Sequence, residues 1–354
     1  MTRRKTAYIK VNPDQPEQDA MQEAGRIIKS GGLVAFPTET VYGLGANALD
    51  GSAVERVFSA KGRPQDNPLI VHVADLDSVY EYALAVSPVA RLLMEKFWPG
   101  PLTLILPGNG KVSEAVSAGL AGLAFRMPDH PVALALIREV GIPVAAPSAN
   151  LSGRPSPTTA DHVQGDLGGR IDAILDGGPA GMGIESTVLD LTVDIPLILR
   201  PGGIAPEQIK AVTGAVDLHR TLLKGGKPPQ QPGSPGMKYR HYAPCAPLVL
   251  VEGSPSGVLR EISRLAGEYI SQGKRVGILC REGNQDCYPG TITVSAGLEG
   301  NYASVAATLY AALRRFDSLA VDVILAEGVE SRGLGLTVAN RLRKAAGGKI
   351  IMAD

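Results

Sequence analysis

The 354-residue sequence has no surplus of charge: Lys plus Arg and Asp plus Glu each number 35. A global basic field that would recruit nucleic acid is therefore absent, and only a local groove remains open. No apolar run reaches the roughly eighteen residues needed to cross a bilayer. The start, MTRRKTAYIKV, has no signal-peptide hydrophobic core, so a cytoplasmic protein with no membrane partner is expected. Cysteine is scarce: Cys245, Cys280 and Cys287 are odd in number and lack C-x-x-C spacing. That fits a reduced compartment, with packed or exposed thiols favoured over a metal pair. The P-loop, the G-x-S-x-G elbow, H-E-x-x-H and the kinase motif set are all missing.

What is present allows a sizeable core, since 44% of residues are hydrophobic, and the length favours two domains. The stretch Leu33 to Ala74 carries two strand-like runs, Leu33–Phe36 and Leu69–Val73, followed by polar groups, as at a ligand crevice of an α/β sheet. Between them, Ser52 with Glu55 reads as a capping box opening a short helix, which Gly62 can end in the left-handed conformation. Lys61 and Arg63 then flank the helix end. Two cations one residue apart suit a polyanion, although they could equally complement the helix dipole. GLGANA at Gly43–Ala48 matches a dinucleotide fingerprint in form, but a polar loop separates it from the preceding strand and no acidic partner follows at the usual distance.

Along the chain, helices are predicted over Pro16–Lys29, Asp77–Ala85, Ser87–Phe97, Pro131–Val140 and Pro206–Val212. Ser87 serves as an N-cap, and Ile27 and Ile28 point inward. Strands are predicted at Leu102–Leu106, Leu123–Phe125, Val144–Ala146, Ala173–Leu175, Thr187–Leu191 and Leu197–Leu199, a set that suggests a twisted mixed sheet. Residues 214–246 change character: GGKPPQQPGSPGMKYRHYAP is proline-rich and basic, has no acidic residue and cannot build a core. Beyond it, strand and helix patterns alternate regularly (PLVLVE, Val258–Ser271, RVGILC, TITVSA, Ser304–Phe316, VDVILAEG, Leu336–Ala346). That is the signature of a smaller doubly wound parallel-sheet domain. The expected domains are 1–213, a basic linker or lid at 214–246, and 247–354.

Eleven polar residues recur beside the apolar runs of the first domain: Thr38, Thr40, Lys61, Arg63, Asn67, His72, Arg126, Ser148, Asn150, Ser186 and Arg200. Singly, each has an ordinary explanation, His72 as a structural strand residue and Ser148 and Asn150 as turn formers. Jointly they are what a ligand crevice needs. The motifs PTETVYGLGANA, KGRPQDNPLIVHV, WPGPLTLIL, FRMPDHP, PSANLSGRPSPT, IESTVLDL and LRPGG resemble, in order, those of the YrdC-like domain of the L-threonylcarbamoyladenylate synthase family. SPGMKYRHYAP and the last domain resemble its long, two-domain form.

The resemblance implies an α/β chain with a YrdC-like twisted mixed sheet and a smaller Rossmann-like domain. The implied activity is a nucleotidyltransferase making L-threonylcarbamoyl-AMP and pyrophosphate from L-threonine, bicarbonate or CO2, and ATP. The product would pass to proteins that modify the tRNA adenosine beside the anticodon, with no stable direct tRNA binding. By the same resemblance Lys61, Arg63, Ser148 and Asn150 are catalytic, and Thr40, His72, Arg126, Ala146 and Ser186 hold threonine. Lys61, Arg63, Asn67, Gly122, Ser148, Asn150, Ser156, Arg200 and Tyr239 would hold ATP. Ser234, Lys238, Tyr239, Arg240, His241 and Tyr242 would form a lid. Mg2+ would ride on the ATP phosphates, with no dedicated metal site. An RNA-binding module, and a carbamoyltransferase of the hydrogenase-maturation type, are the rival readings. The first lacks aromatic interleaving in its basic motifs, and the second would carry acylphosphatase-like and zinc-finger segments that are not visible.

Overall fold

The computed structural model describes residues 5–222, 232–235, 237–238 and 241–354. Tyr239 and Arg240, expected in the nucleotide site and the lid, lie outside the described residues. Two compact units divide the chain, one running to Lys238 and the other from Tyr239 to the end, the latter taking in the short pieces 153–155 and 182–184. This division differs from the boundaries read at 213 and 246. Asp217–Leu218 adds a short strand to the first sheet, so the chain just past 213 still belongs to that body.

The strands of the first unit are β1 (Ala7–Lys10), β2 (Val34–Phe36), β3 (Gly43–Asn47), β4 (Ile70–His72), β5 (Leu102–Pro107), β6 (Gly122–Arg126), β7 (Val144–Ala145), β8 (Ala173–Asp176), β9 (Thr187–Asp190), β10 (Leu197–Arg200) and β11 (Asp217–Leu218). They form one mixed sheet in the order β1-β8-β2-β3-β7-β4-β6-β5-β9-β10-β11. Alternation splits its residues between two faces. Val71, Leu104, Phe125 and Leu189 join the main core with the helices, while Ile70, Ile105, Ala124, Val188 and Leu199 form a separate apolar patch on the other face.

The GLGANA motif is not a turn over a phosphate but the strand β3, an element that its glycine content hides from a search for alternating apolar residues. A Cβ at Gly45 would stand 2.9 Å from Phe36 Cε1 and 3.0 Å from Val144 Cγ1, so the residue is small because two neighbouring strands press on it. The helix after it, Gly51–Lys61, is capped by Asp50, whose side chain accepts from Ser52 N–H; Ser52, predicted as the cap, sits inside the first turn. The Ser87 cap on helix Pro88–Phe97 is found as predicted, accepting from Ala90 N–H.

The second unit is a five-stranded, wholly parallel sheet: β12 (Leu248–Gly253), β13 (Val276–Cys280), β14 (Ile292–Ser295), β15 (Val323–Glu327) and β16 (Ile350–Ala353), in the order β14-β13-β15-β12-β16. Helices Pro255–Ser271, Tyr302–Leu319 and Leu334–Ala346 supply its crossovers. No helix among the described residues is long and apolar enough to cross a membrane.

The capping assignment has a measurable consequence. Asp50→Ala should cost about 1 kcal/mol in a urea titration of the whole chain, because the first-turn N–H loses its acceptor. Ser52→Ala should stay within about 0.5 kcal/mol. The reverse order would restore Ser52 as the cap.

Candidate active site

Gly62, with φ 60° and ψ 37°, ends helix Gly51–Lys61 in the left-handed conformation. The turn buries Lys61, which is 2% exposed, so the basic pair does not merely decorate a helix end in solvent. Lys61 Nζ donates to the carbonyl oxygens of Ser148 (2.5 Å) and Asn150 (2.6 Å) and lies 3.3 Å from Asn150 Oδ1. Ser148 Oγ donates to the same Oδ1 at 2.6 Å. Arg63 reaches the carbonyls of Asn67 and Pro68 through Nε (3.1 Å) and Nη2 (2.8 Å). Five predicted residues thus assemble around two buried cations. Asn67 Oδ1 is buried there without a hydrogen-bond partner, an acceptor still open to a ligand's N–H or O–H.

A second group forms at the other end of the same strands. His72 and Arg126 face each other across the parallel pair β4–β6. Arg126 Nε donates to Gly100 O at 3.3 Å, and its Nη2 lies 2.6 Å from Glu39 Oε1. Ser186 Oγ is 2.7 Å from Thr103 Oγ1 and accepts from Arg200 Nη2 at 3.1 Å, while Arg200 Nε and Nη2 also hold Ser186 O. Ser156 Oγ donates to Glu185 Oε1 at 2.5 Å. In the loop after β2, Thr38 Oγ1 donates to Val41 O at 2.7 Å and sits 2.8 Å from Thr40 Oγ1. With its own proton on Val41 O, Thr38 accepts from Thr40, which leaves the Thr40 oxygen lone pairs for a ligand donor. Ala146 stands beside β4, its N–H donating to Ile70 O.

β7 runs antiparallel to β4, with His72 opposite Val144. The chain therefore leaves β7 for Ser148 at the end of the sheet where β4 begins, next to Asn67. Gly122 opens β6 at that same end, four residues from Arg126 and about 13 Å away at some 3.3 Å per residue. The predicted nucleotide residues consequently divide: Lys61, Arg63, Asn67, Gly122, Ser148 and Asn150 at one end, Ser156 and Arg200 beside Ser186 at the other. The division follows from β10 running antiparallel to β9, which returns Arg200 to the point where β9 starts.

Between the groups lies the apolar patch of Ile70, Ile105, Ala124, Val188 and Leu199, and Met237 from the basic linker is buried on it. Ser234 is buried as well, and Lys238 pairs with Asp66 at 2.7 Å. Of the other expected lid residues, His241 and Tyr242 fall in the second unit. Tyr242 (φ 63°) stacks on Tyr310 with ring centroids 5.2 Å apart, and the Arg341 guanidinium sits 5.1 Å over its ring, so it is an anchor of that unit's core. Sequence reasoning passed over Glu39, Thr103 and Glu185 as site residues. Glu39 alone had a signal, an acid between two threonines in a loop that follows a strand.

A mixed sheet with buried cations gathered toward both ends of its central strands defines an α/β domain carrying two buried polar clusters. A family model described as "Telomere recombination", that of the Sua5, YciO and YrdC proteins, matches residues 26–202, and one described as "Threonylcarbamoyl-AMP synthase, C-terminal domain" matches residues 204–347. The threonylcarbamoyl-AMP synthase of Bacillus subtilis is 52% identical over 330 residues, 93% of either chain. That of Pyrococcus abyssi is 48% identical over 335 residues, 95% of this chain and 96% of its own. The crystal structure of P. abyssi Sua5 complexed with L-threonine matches with a TM-score of 0.94 at 47% identity, covering 99% of this chain and all of that one. E. coli YciO, with a TM-score of 0.52 and 30% identity, covers 56% of this chain and 96% of its own. The chain belongs to the Sua5 family of threonylcarbamoyl-AMP synthases, in its two-domain form.

Burial, and after it the Arg126 guanidinium, push the His72 imidazole from the ordinary 6.5 down to about 3, so it stays neutral at physiological pH. Between those values the unfolded chain binds the proton and the folded chain does not. The stability owed to neutral His72 is therefore fully present above about pH 6.5 and is lost as pH falls toward 3. His72→Gln should flatten this loss, read as the slope of urea-unfolding stability between pH 7 and pH 4. Equal slopes in both proteins would count against a buried neutral imidazole.

Proposed function

We propose that this enzyme condenses L-threonine, bicarbonate or CO2, and ATP into L-threonylcarbamoyl-AMP, releasing pyrophosphate, and that the whole small-molecule pocket lies within residues 1–213. The observation carrying this reading is the burial of Lys61, Arg63, Arg126 and Arg200 at the two ends of one apolar sheet face. A substrate with a carboxylate at one end and phosphates at the other matches cations so placed.

The threonine nitrogen becomes a carbamate, whose oxygen attacks the α-phosphorus of ATP as pyrophosphate leaves. No protein nucleophile is required; positioning and charge neutralisation suffice. Arg126 takes the threonine carboxylate in a charge-assisted hydrogen bond. Neutral His72 offers a ring nitrogen without adding charge, and Thr40, Ala146 and Ser186 complete the threonine end. Lys61 and Arg63, held by backbone carbonyls, face the nucleotide phosphates with Ser148 and Asn150, while Asn67 Oδ1 and the Gly122 backbone meet the nucleoside. Ser156 and Arg200, which lie with Ser186, would bridge the threonine and phosphate ends. Mg2+ would arrive with ATP. Among the described residues no group of three His, Cys, Asp or Glu side chains could hold it, so no protein metal site is assigned. The product, a mixed anhydride, would pass in the cytoplasm to proteins that transfer threonylcarbamoyl to tRNA, without stable tRNA binding by this chain.

The linker acts as a lid. Both carbamate and anhydride are lost to water, and a cover that excludes solvent protects them. Burial of Met237 on the apolar sheet face, and of Ser234 in the same segment, supports this role.

Pyrophosphate release should depend on threonine, ATP and bicarbonate together. Arg63→Ala should raise the ATP requirement far more than the threonine requirement and Arg126→Ala the reverse, each by an amount on the order of 2–4 kcal/mol. Equal loss of both substrates in both variants would refute the division of roles. Trypsin cleavage within residues 223–240 should slow when ATP and threonine are added together; an unchanged rate, with or without ligands, would leave the segment a connector.

A further inference from the structure

The threonine end already holds a carboxylate. Glu39 Oε1 lies 2.6 Å from Arg126 Nη2, yet neither Glu39 oxygen nor that Nη2 makes an aligned hydrogen bond, and all three atoms are shut away from solvent. The contrast within the chain is plain: Arg343 with Glu252, and Arg281 with Glu327, meet in aligned hydrogen bonds at 2.7 and 3.0 Å. Buried polar atoms are almost always satisfied, so three unsatisfied ones in a single contact mark a place where a ligand group belongs.

We infer that Glu39 receives the ammonium group of the amino-acid substrate while Arg126 receives its carboxylate, the zwitterion entering by exchanging partners with the resident ion pair. This rests on the reading above that Arg126 is the carboxylate's seat. A zwitterion leaves both buried charges compensated. A plain carboxylate would occupy Arg126 and strand Glu39 as an unpaired buried charge, which is strongly unfavourable. His72 stays neutral, so it puts no imidazolium on the sheet to compete for Glu39. Burial pushes His130, in the loop after β6, down as well, against the pull of Glu39, Asp129 and Asp14. Glu39 is therefore the element that separates α-amino acids from hydroxy acids of the same shape, ahead of any chemistry.

The test is calorimetric titration of the full chain, without ATP, with L-threonine and with 3-hydroxybutyrate, which keeps the carboxylate, hydroxyl and methyl groups but lacks the amine. Threonine should bind the native chain at least about a hundred-fold more tightly, since a site built around a polar group rejects the analogue that lacks it. Glu39→Gln should shrink that ratio at least about ten-fold by weakening threonine alone, and Glu39→Asp, which retracts the charge, should fall between. A ratio unchanged in either variant overturns the assignment. Should the Gln variant fail to fold in a thermal melt, the Asp variant decides alone. Arg126→Gln serves as the separate control: if it leaves both ligands binding as before, the seat of the carboxylate was misread, whatever Glu39 does.

Discussion

The ammonium group of Lys61 is the contact on which the first unit's geometry turns. It ties the end of helix Gly51–Lys61 to the loop after β7 through two carbonyl oxygens in charge-assisted hydrogen bonds. Remove it, and the Ser148–Asn150 turn loses its charge-assisted hold on the helix that also presents Arg63. A buried cation thus serves as a structural clamp, its charge met by carbonyl oxygens. Arg126 and Glu39 repeat the device at the other end with side chains instead of carbonyls.

Much of this was legible because it depends on local chemistry. The Gly62 and Gly141 helix ends, the Ser87 cap, the apolar runs of the central strands and the parallel pattern of the second unit all follow from short-range rules, and the structure bears them out. What escaped depends on contacts far along the chain. β3 reads as loop because its glycines answer to Phe36 and Val144, not to an alternation of their own. β1, β11 and β16 are strands of two to four residues, too short to establish an alternation, and helix Ala160–Leu167 is too brief to show a period. Asp50 and Ser52 compete for one cap, and only backbone geometry decides between them. Candidate residues were named from ordered motifs, yet which end of the sheet each occupies required knowing that β10 reverses against β9. Glu39 was invisible as a partner of Arg126 because 86 residues of chain lie between the two positions.

The linker shows why composition alone misleads. A basic, proline-rich segment has no means of forming a core by itself, but Met237 needs none, since the sheet face supplies five apolar neighbours. A few residues further on, the Tyr242 ring is locked between Tyr310 and Arg341.

β4 and β7 are three and two residues long, shorter than the usual five or six. A sheet this narrow at its centre works as a ruler. Its two charged ends are separated by one short strand, so their spacing is set by strand length and not by a pocket wall. Lengthening β4 by one residue would both turn His72 to the opposite face and open the span by about 3 Å. Insertions that any surface loop of this fold would absorb are therefore forbidden at its middle.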